Sequence, residues 1–229
     1  MIHLHVRKPD GTHLLDADAY REAIAAIRSE VGDRIVVQIT TEAMSIYARS
    51  EQIAVLKAVR PEAASLALRE LAPDMAAEPD FFAALEWMKR ESVMPQIILY
   101  DPSEVIRLAG MIERGDLPWK KIPVLYVLGR YTASQTSRPR DLLPFIAPHM
   151  PRFATWSVCA FGRHEAACVA AAALLGGHIR VGFENNLFLP DGSPSPSNAA
   201  LVRSVAEATQ ALGMVHCDAA AVRAIFSAE

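Results

Sequence analysis

Short apolar runs rich in β-branched residues alternate with longer amphipathic segments from one end of this 229-residue chain to the other. The alternation predicts a repeated strand–helix unit, and the apolar runs are typical of parallel strands covered on both faces. The predicted strands are Met1–Val6, Arg34–Thr41, Ala63–Leu68, Met94–Tyr100, Ile122–Gly129, Phe153–Ala160 and Ile179–Glu184. The predicted helices are Asp16–Val31, Ser50–Val59, Pro79–Ser92, Pro102–Arg114, Arg140–Ile146, Arg163–Leu175, Asn198–Leu212 and Asp218–Phe226.

A long series of strand–helix units can form either a doubly wound open sheet or a closed (β/α)8 barrel. No G-x-G-x-x-G follows the first predicted strand, which disfavours a dinucleotide-binding open sheet. The Pro/Ser segment 189–198 is short enough to be a loop, and nothing else resembles a linker between domains. We therefore expect residues 1–229 to form a single α/β domain, a TIM barrel that lacks its first βα unit.

Composition disfavours several classes of partner. The formal net charge is -3 and charged residues make up 21%, so no basic field exists to attract a nucleic acid. The apolar stretches end well before the ~20 residues that span a bilayer, and the first residues do not resemble a signal peptide, so we expect a cytoplasmic protein. Cys159, Cys168 and Cys217 lack C-x-x-C spacing and predict reduced, mostly packed thiols.

Two histidines near the start of the chain are the strongest candidates for chemistry. His3 and His5 are two apart on a predicted strand, so both imidazoles project from one face and can converge on one ion. The H-x-H pattern alone also fits histidines that bond backbone carbonyls. A third ligand, Glu184, would end the last strand on the same face as Arg180 and Gly182, where an acid is costly unless paired or metal-bound.

Two imidazoles and one carboxylate leave zinc an open position for water or a substrate oxygen, which is typical of a catalytic site. The other interpretation of Glu184 is a solvated acid or an ion-pair partner of Arg180.

Several short segments, spread in order along the chain, match one known pattern. They are His3-Leu4-His5-Val6-Arg7 with Asp10-Gly11, Ala64-Ser65-Leu66, Trp156-Ser157-Val158 with Gly162-Arg163-His164, and Gly176-Gly177-His178-Ile179-Arg180-Val181-Gly182-Phe183-Glu184-Asn185-Asn186. Together they resemble the β-keto acid cleavage enzymes, whose founding activity cleaves 3-keto-5-aminohexanoate. No single segment is decisive, but the combination is highly specific.

The resemblance implies a TIM barrel, normally a homotetramer, with Zn2+ held by His3, His5 and Glu184. It also implies a reaction in which a β-keto acid and acetyl-CoA become acetoacetate and a new acyl-CoA. Zinc would polarise the keto oxygen and stabilise an oxyanion there.

The resemblance also assigns roles to residues outside the metal set. Arg180 matches an arginine near the substrate carboxylate and the acid–base machinery, and is a catalytic candidate with Glu184. Thr40 and Thr41 match a Ser-Thr pair that contacts the substrate carboxylate. From its position after a strand, Arg130 either attracts an anionic substrate or CoA phosphate or is solvated surface charge. His164 either contacts substrate or coenzyme or caps its loop.

The chain departs from the family pattern at several positions. Asn185 stands where the family has an aspartate that assists proton abstraction, and an amide cannot accept that proton. Ile98 stands where an inward glutamate is frequent, and Glu42-Ala43 replace glycines, which indicates altered carboxylate recognition. Family members ordinarily have a strand and helix before the H-x-H strand, so we expect the natural chain to start upstream of Met1.

We expect a zinc-dependent carbon–carbon bond-cleaving acyltransferase. A metal-holding barrel that acts as a binding module is the alternative, which Asn185, Ile98 and the missing first βα unit favour. An amidohydrolase-type hydrolase ranks below both, because it would need further histidines at later strand ends and an aspartate ending the last strand.

Overall fold

The computed structural model describes residues 1–226. Its strands are β1 Ile2–Leu4, β2 Val6–Arg7, β3 His13–Leu14, β4 Val37–Thr40, β5 Ala63–Ala67, β6 Met94–Leu99, β7 Val124–Leu128, β8 Trp156–Ala160 and β9 His178–Ile179. Its α-helices are α1 Ala17–Val31, α2 Arg49–Val59, α3 Leu68–Leu71, α4 Glu78–Arg90, α5 Pro102–Glu113, α6 Leu143–Ile146, α7 Glu165–Leu174, α8 Asn198–Ala211 and α9 Ala219–Phe226. Short 3-10 turns lie at Gly32–Arg34 and Pro139–Leu142.

The described residues form two compact units. The first contains Met1–Ile97, Gly110–Ile122 and residues 217–226, and the second contains Ile98–Ala109 and Pro123–His216. Strand β6 contributes its first four residues to the first unit and its last two to the second.

The first unit is built on parallel strands, of which β4 and β5 are fully buried. Strand β1 pairs with β4 so that His3 lies opposite Gln38, and β4 pairs with β5 so that Thr40 lies opposite Ser65. Every residue of β4 and β5 is buried, which confirms the expectation from their apolar runs. The strand order in this unit is β1-β4-β5-β6.

A two-stranded hairpin follows β1 and was not predicted. Strands β2 and β3 pair antiparallel, with Arg7 opposite His13. Gly11 adopts a φ of 82° in the turn, a conformation that glycine reaches without the steric cost of a Cβ. The hairpin returns the chain so that His13 is buried beside His5. The dipeptide Asp10-Gly11 is a strong hairpin signal that could have revealed it.

The second unit continues the pattern of parallel pairing. Strand β7 pairs with β8 along its whole length, from Val124 opposite Trp156 to Leu128 opposite Ala160. Strand β8 pairs with β9 over two residues, and α7 packs against both. The strand order in this unit is β6-β7-β8-β9. The fold class is the predicted α/β TIM barrel with one unit missing, since seven parallel strands stand where a complete barrel has eight.

The last predicted strand is wrong beyond its first residue. Strand β9 ends at Ile179, and residues from Gly182 to Asn186 form a turn in which the Asn185 and Asn186 amides donate to the Gly182 carbonyl at 2.9 and 3.2 Å. These donors are therefore used locally instead of in a strand ladder. Arg180, Gly182 and Glu184 consequently do not share a strand face.

The remaining boundaries agree closely with expectation. Helices α1 and α8 begin after the N-cap residues Asp16 and Ser197, whose side chains accept bonds from the Ala19 and Ala200 amides at 2.8 and 3.1 Å. The first predicted strand is interrupted at His5, and the four-residue helix α3 was not predicted. Among residues 1–226, no helix has the length and apolarity that crossing a bilayer requires.

Glu62 joins distant segments of the first unit. Its carboxylate accepts hydrogen bonds from Arg28 of α1 and from Arg223 of α9, the latter at 2.6 Å. Burial by itself would raise the pKa of Glu62, but the bonds from Arg223 and Arg28 outweigh it and lower that pKa. The C-terminal helix is therefore held to the unit by charge as well as by packing of Val222 and Phe226.

We predict that Glu62→Gln destabilises the chain by about 1–3 kcal/mol, because the charge-assisted bonds to two arginines are lost. Since the folded-state pKa is depressed, this contribution is fully present above the ordinary glutamate pKa and is lost as pH falls through the folded value. Urea unfolding at several pH values measures it, with the exposed Glu22→Gln as control. Equal stability of the two variants at neutral pH would contradict the prediction.

Candidate active site

His3 and His5 lie together at the end of β1. Their Nε2 atoms are 3.1 Å apart, with the ring planes inclined at 75°. Both side chains are only partly exposed. Two imidazole nitrogens at this distance either share a proton or are placed to share a cation. The first unit therefore contains the predicted histidine pair in a geometry compatible with a common ion.

The protonation of His3 follows from two buried glutamines. The Gln38 amide donates to Gln96 Oε1 at 3.2 Å, so the Gln38 carbonyl oxygen faces His3 Nδ1, 2.8 Å away. This arrangement favours a proton on Nδ1, and a neutral imidazole in that tautomer carries its lone pair on Nε2. A metal-binding histidine needs this tautomer, usually fixed by such a partner. The observed contacts therefore fit a metal ligand at His3.

Neither glutamine was predicted, although a signal for both exists in the sequence. Gln38 and Gln96 interrupt the apolar strands β4 and β6, and they are 1% and 4% exposed. Buried polar side chains require hydrogen-bond partners, so a glutamine inside an apolar strand indicates a specific contact.

A carboxylate and a third histidine lie on the other side of His5. Glu42 Oε2 is 3.9 Å from His5 Nδ1, and His13 Nε2 donates to the Glu42 carbonyl at 2.8 Å. His5, His13 and Glu42 each offer a ligand atom within 4.8 Å of the other two. Burial lowers the pKa of His13, which favours a neutral imidazole. Sequence reasoning gave His13 no part in this cluster.

Thr40 ends β4 and Thr41 follows it, and both residues are buried. The Thr40 hydroxyl accepts from the Glu42 amide at 3.0 Å, and the Thr41 hydroxyl donates to the Ser65 carbonyl at 3.0 Å. In this structure the two hydroxyls shape the turn that carries Glu42. Their contact with a substrate carboxylate stays a prediction.

In the second unit, Arg180 contacts Glu184 and Cys159. Its Nη2 lies 3.4 Å from Glu184 Oε1 and 3.3 Å from Cys159 Sγ. Burial works to lower the pKa of Arg180, but Cys159 and Glu184 outweigh it and raise that pKa, so the guanidinium stays charged. Its buried Nε and Nη1 atoms have no hydrogen-bond partner among residues 1–226. Unpaired buried donors on a cation are suited to an anionic ligand.

Asn185 supplies another unpaired donor in the same unit. Its side chain is 6% exposed, and Nδ2 has no hydrogen-bond partner within the described part of the chain. The Asn185 carbonyl accepts from the Gly162 amide at 2.9 Å, which fixes the backbone there. In the second unit, the buried side-chain nitrogens without a hydrogen-bond partner belong to Arg180 and Asn185. Both residues were predicted as site residues.

Glu165 supports the turn that contains Glu184 and was not predicted. Its carboxylate accepts from the Gly182 amide at 3.0 Å and from Asn186 Nδ2 at 3.2 Å. Burial raises the pKa of Glu165 to about 7, against the opposing effect of these bonds. The sequence did contain a signal for this role, because Glu165 is the one acidic residue of the otherwise apolar, alanine-rich helix α7.

The other two predicted substrate residues have separate surroundings. Arg130 lies over the Phe161 ring, with Cζ 5.2 Å from the ring centroid, which is a cation–π geometry. His164 occupies the N-cap position of α7, where its side chain makes no capping bond to the described helix. The capping interpretation of the His164 side chain is therefore not supported.

Comparison with known proteins decides the family. The model of the family described as beta-keto acid cleavage enzyme matches residues 1–227. The chain belongs to this β-keto acid cleavage enzyme family. The resemblance inferred from the short segments is thereby confirmed.

Named relatives of this family member have several activities. It is 30% identical to the 3-keto-5-aminohexanoate cleavage enzyme of Fusobacterium nucleatum, across 93% of this chain and 78% of that protein. It is 29% identical to the 3-oxoadipate:acetyl-CoA acetyltransferase of Cupriavidus necator, across 98% of this chain and 80% of that protein. A 3-dehydrocarnitine:acetyl-CoA trimethylamine transferase of Rhizobium meliloti is 26% identical, across 93% and 78%.

A solved structure supports the fold of this family member. The type I 3-dehydroquinate dehydratase of Clostridium difficile superposes with a TM-score of 0.54 over 86% of this chain and 77% of that one. Because the identity is 8%, the similarity concerns the fold alone.

We predict that Gln38→Leu weakens zinc binding about 10-fold, since His3 loses the acceptor that fixes its tautomer. Isothermal titration with zinc measures the affinity. The matched control is Gln52→Leu, which removes an equally buried glutamine of the same unit that bonds Thr41 and Glu70 instead of a histidine. Equal affinities of the two variants would show that the His3–Gln38 bond does not prepare a metal ligand.

Proposed function

We propose that this chain is a zinc-dependent β-keto acid cleavage enzyme. It would convert a β-keto acid and acetyl-CoA into acetoacetate and a new acyl-CoA. The family match across residues 1–227 carries the proposal. The names of relatives from Cupriavidus necator, Paraburkholderia graminis and Rhizobium meliloti, which include acetyl-CoA with three different keto acids, support the co-substrate.

We assign the metal to His3, His5 and Glu184. Each offers one ligand atom of a kind that zinc binds well, imidazole nitrogen or carboxylate oxygen. The lone pair on His3 Nε2 and its proximity to His5 support the histidine half of this set. Bound zinc would supply Lewis acidity, polarising a substrate oxygen and stabilising negative charge on it.

Arg180 would bind the substrate carboxylate. Its charge and its two unpaired buried donors support this role, because an anionic acceptor satisfies both. Thr40 and Thr41 would contact the same carboxylate from the end of β4, as the family pattern implies. Arg130 and His164 are proposed contacts of substrate or coenzyme.

Asn185 would donate a hydrogen bond to a substrate oxygen through its unpaired Nδ2. An amide cannot take the proton that a carboxylate accepts, so Asn185 does not replace the family's aspartate as a base. Ile98, which is 6% exposed, brings no carboxylate of its own. These two residues favour a second candidate function, a metal-holding member of the family that binds keto acids without turning them over.

A homotetrameric assembly and a cytoplasmic location remain predictions made from the resemblance and from sequence composition. They are not needed for the proposed chemistry.

We predict acetyl-CoA-dependent formation of acetoacetate from at least one of 3-keto-5-aminohexanoate, 3-oxoadipate and 3-dehydrocarnitine. Glu184→Gln and His5→Ala should each reduce kcat/KM by at least about 100-fold, because several kcal/mol of electrophilic stabilisation are lost. Both variants should also lose zinc in metal analysis, whereas His149→Ala should keep zinc and activity. Full activity of a zinc-free Glu184→Gln variant would reject the metal assignment.

The substitution Asn185→Asp separates slow catalysis from binding alone. We predict that it raises kcat by about 100-fold, since a positioned base contributes at least that much to proton transfer. Acetoacetate production by the zinc-loaded protein measures the change, and the control is Gln210→Glu, an amide-to-acid change at an exposed residue of the same unit. If wild type and Asn185→Asp are both inert while keto acids still bind, the binding function is the correct one.

A further inference from the structure

A buried carboxylate lies beneath the turn that carries Glu184. Glu165 is the first residue of α7 and is 1% exposed. Its Oε1 accepts from the Gly182 amide at 3.0 Å, and its Oε2 accepts from Asn186 Nδ2 at 3.2 Å. The two donors flank Glu184 symmetrically, two residues before it and two residues after it.

A second attachment joins the start of α7 to the same turn. The Gly162 amide donates to the Asn185 carbonyl at 2.9 Å, and the Gly162 carbonyl accepts from the Glu165 amide at 2.9 Å. Glu165 and the loop before α7 therefore bond the turn at three positions: Gly182, Asn185 and Asn186.

Helix α8 fixes the remaining part of the turn. The Phe183 amide donates to Asn198 Oδ1 at 3.1 Å. A Cβ on Gly182 would lie 2.9 Å from that same oxygen, so a larger residue at this position would displace the Asn198 side chain from its bond to the turn. The side chains of Glu184 and Phe183 are exposed on this held backbone, whereas those of Asn185 and Asn186 are buried.

If Glu165 served only to fill space in the core, a buried ionisable side chain would be an unfavourable choice. Burial disfavours its charged form, and an apolar side chain of similar volume would fill the space without that cost. The position at the start of α7 favours negative charge, and both carboxylate oxygens are used in bonds to the turn. The contacts therefore indicate that Glu165 is there to hold a backbone conformation.

We propose that Glu165 is a positioning residue that fixes the turn from Gly182 to Asn186, and thereby the Glu184 carboxylate and the Asn185 amide. The inference rests on the proposed function insofar as Glu184 is taken as a zinc ligand. Glu165 itself touches neither metal nor substrate; it acts through the turn.

Two substitutions and one control test this role. Glu165→Ala removes both acceptor oxygens, whereas Glu165→Gln keeps one acceptor of the same size and should rescue part of the effect. Cys168→Ala is the control, because Cys168 is a buried residue of the same helix that contacts Ser137 and not the turn. It reports the effect of a small loss of helix packing. If Glu165→Ala does not fold, Glu165→Gln carries the same comparison.

The first measurement needs no metal. Hydrogen exchange followed by mass spectrometry on the chelator-treated protein should show faster exchange of the amides from Gly182 to Asn186 in Glu165→Ala, by at least about tenfold. Glu165→Gln should lie between it and wild type, and Cys168→Ala should match wild type in this peptide. Unchanged protection in both Glu165 variants would overturn the inference.

The second measurement is zinc affinity by titration. Glu165→Ala should bind zinc about 10- to 100-fold more weakly than wild type, as for other residues that orient a metal ligand, and Cys168→Ala should bind normally. Wild-type affinity in Glu165→Ala would overturn the inference while leaving the proposed function intact. If wild type binds no zinc, the proposed function fails, and the exchange measurement still decides whether Glu165 holds the turn.

Discussion

The bond between His3 and Gln38 determines what the histidine pair can do. While Gln38 accepts the Nδ1 proton, His3 presents a lone pair on Nε2 towards His5, and the partner amide of Gln96 keeps Gln38 in that orientation. A zinc ligand needs this preparation, and a histidine kept only for packing does not. The bonds to His3 and to Gln96 give the buried Gln38 its hydrogen-bond partners.

In the second unit, hydrogen bonds likewise fix the backbone around a candidate carboxylate ligand, and a buried cation lies in the same unit. Glu165 and Asn198 fix the turn around Glu184 by hydrogen bonds to its backbone and to Asn186, while Arg180 remains charged with buried donors that no described side chain satisfies. A folded chain tolerates such unpaired groups where a ligand completes them. The polar groups left incomplete in this unit belong to Arg180 and Asn185, which the family pattern had already marked.

Much of the fold could be predicted from the sequence, because parallel strands and amphipathic helices have clear apolar periodicity. The histidine pair could be predicted because residues two apart on a strand share a face. Periodicity does not report tertiary contacts, so it missed the glutamine pair, the burial of His13 and the support from Glu165. The apolar segment after His178 resembled a strand through Glu184, but its amide donors are used within a turn and by Glu165.

The proposed function depends on one metal ion that His3 and His5 would hold together with Glu184. Anomalous diffraction at the zinc edge, from crystals of the zinc-loaded protein, tests it most directly. We predict one strong peak at about 2.0–2.2 Å from Nε2 of both histidines and from a carboxylate oxygen of Glu184. A peak bound by His13 and Glu42 without Glu184, or by cysteine sulfur, would contradict it.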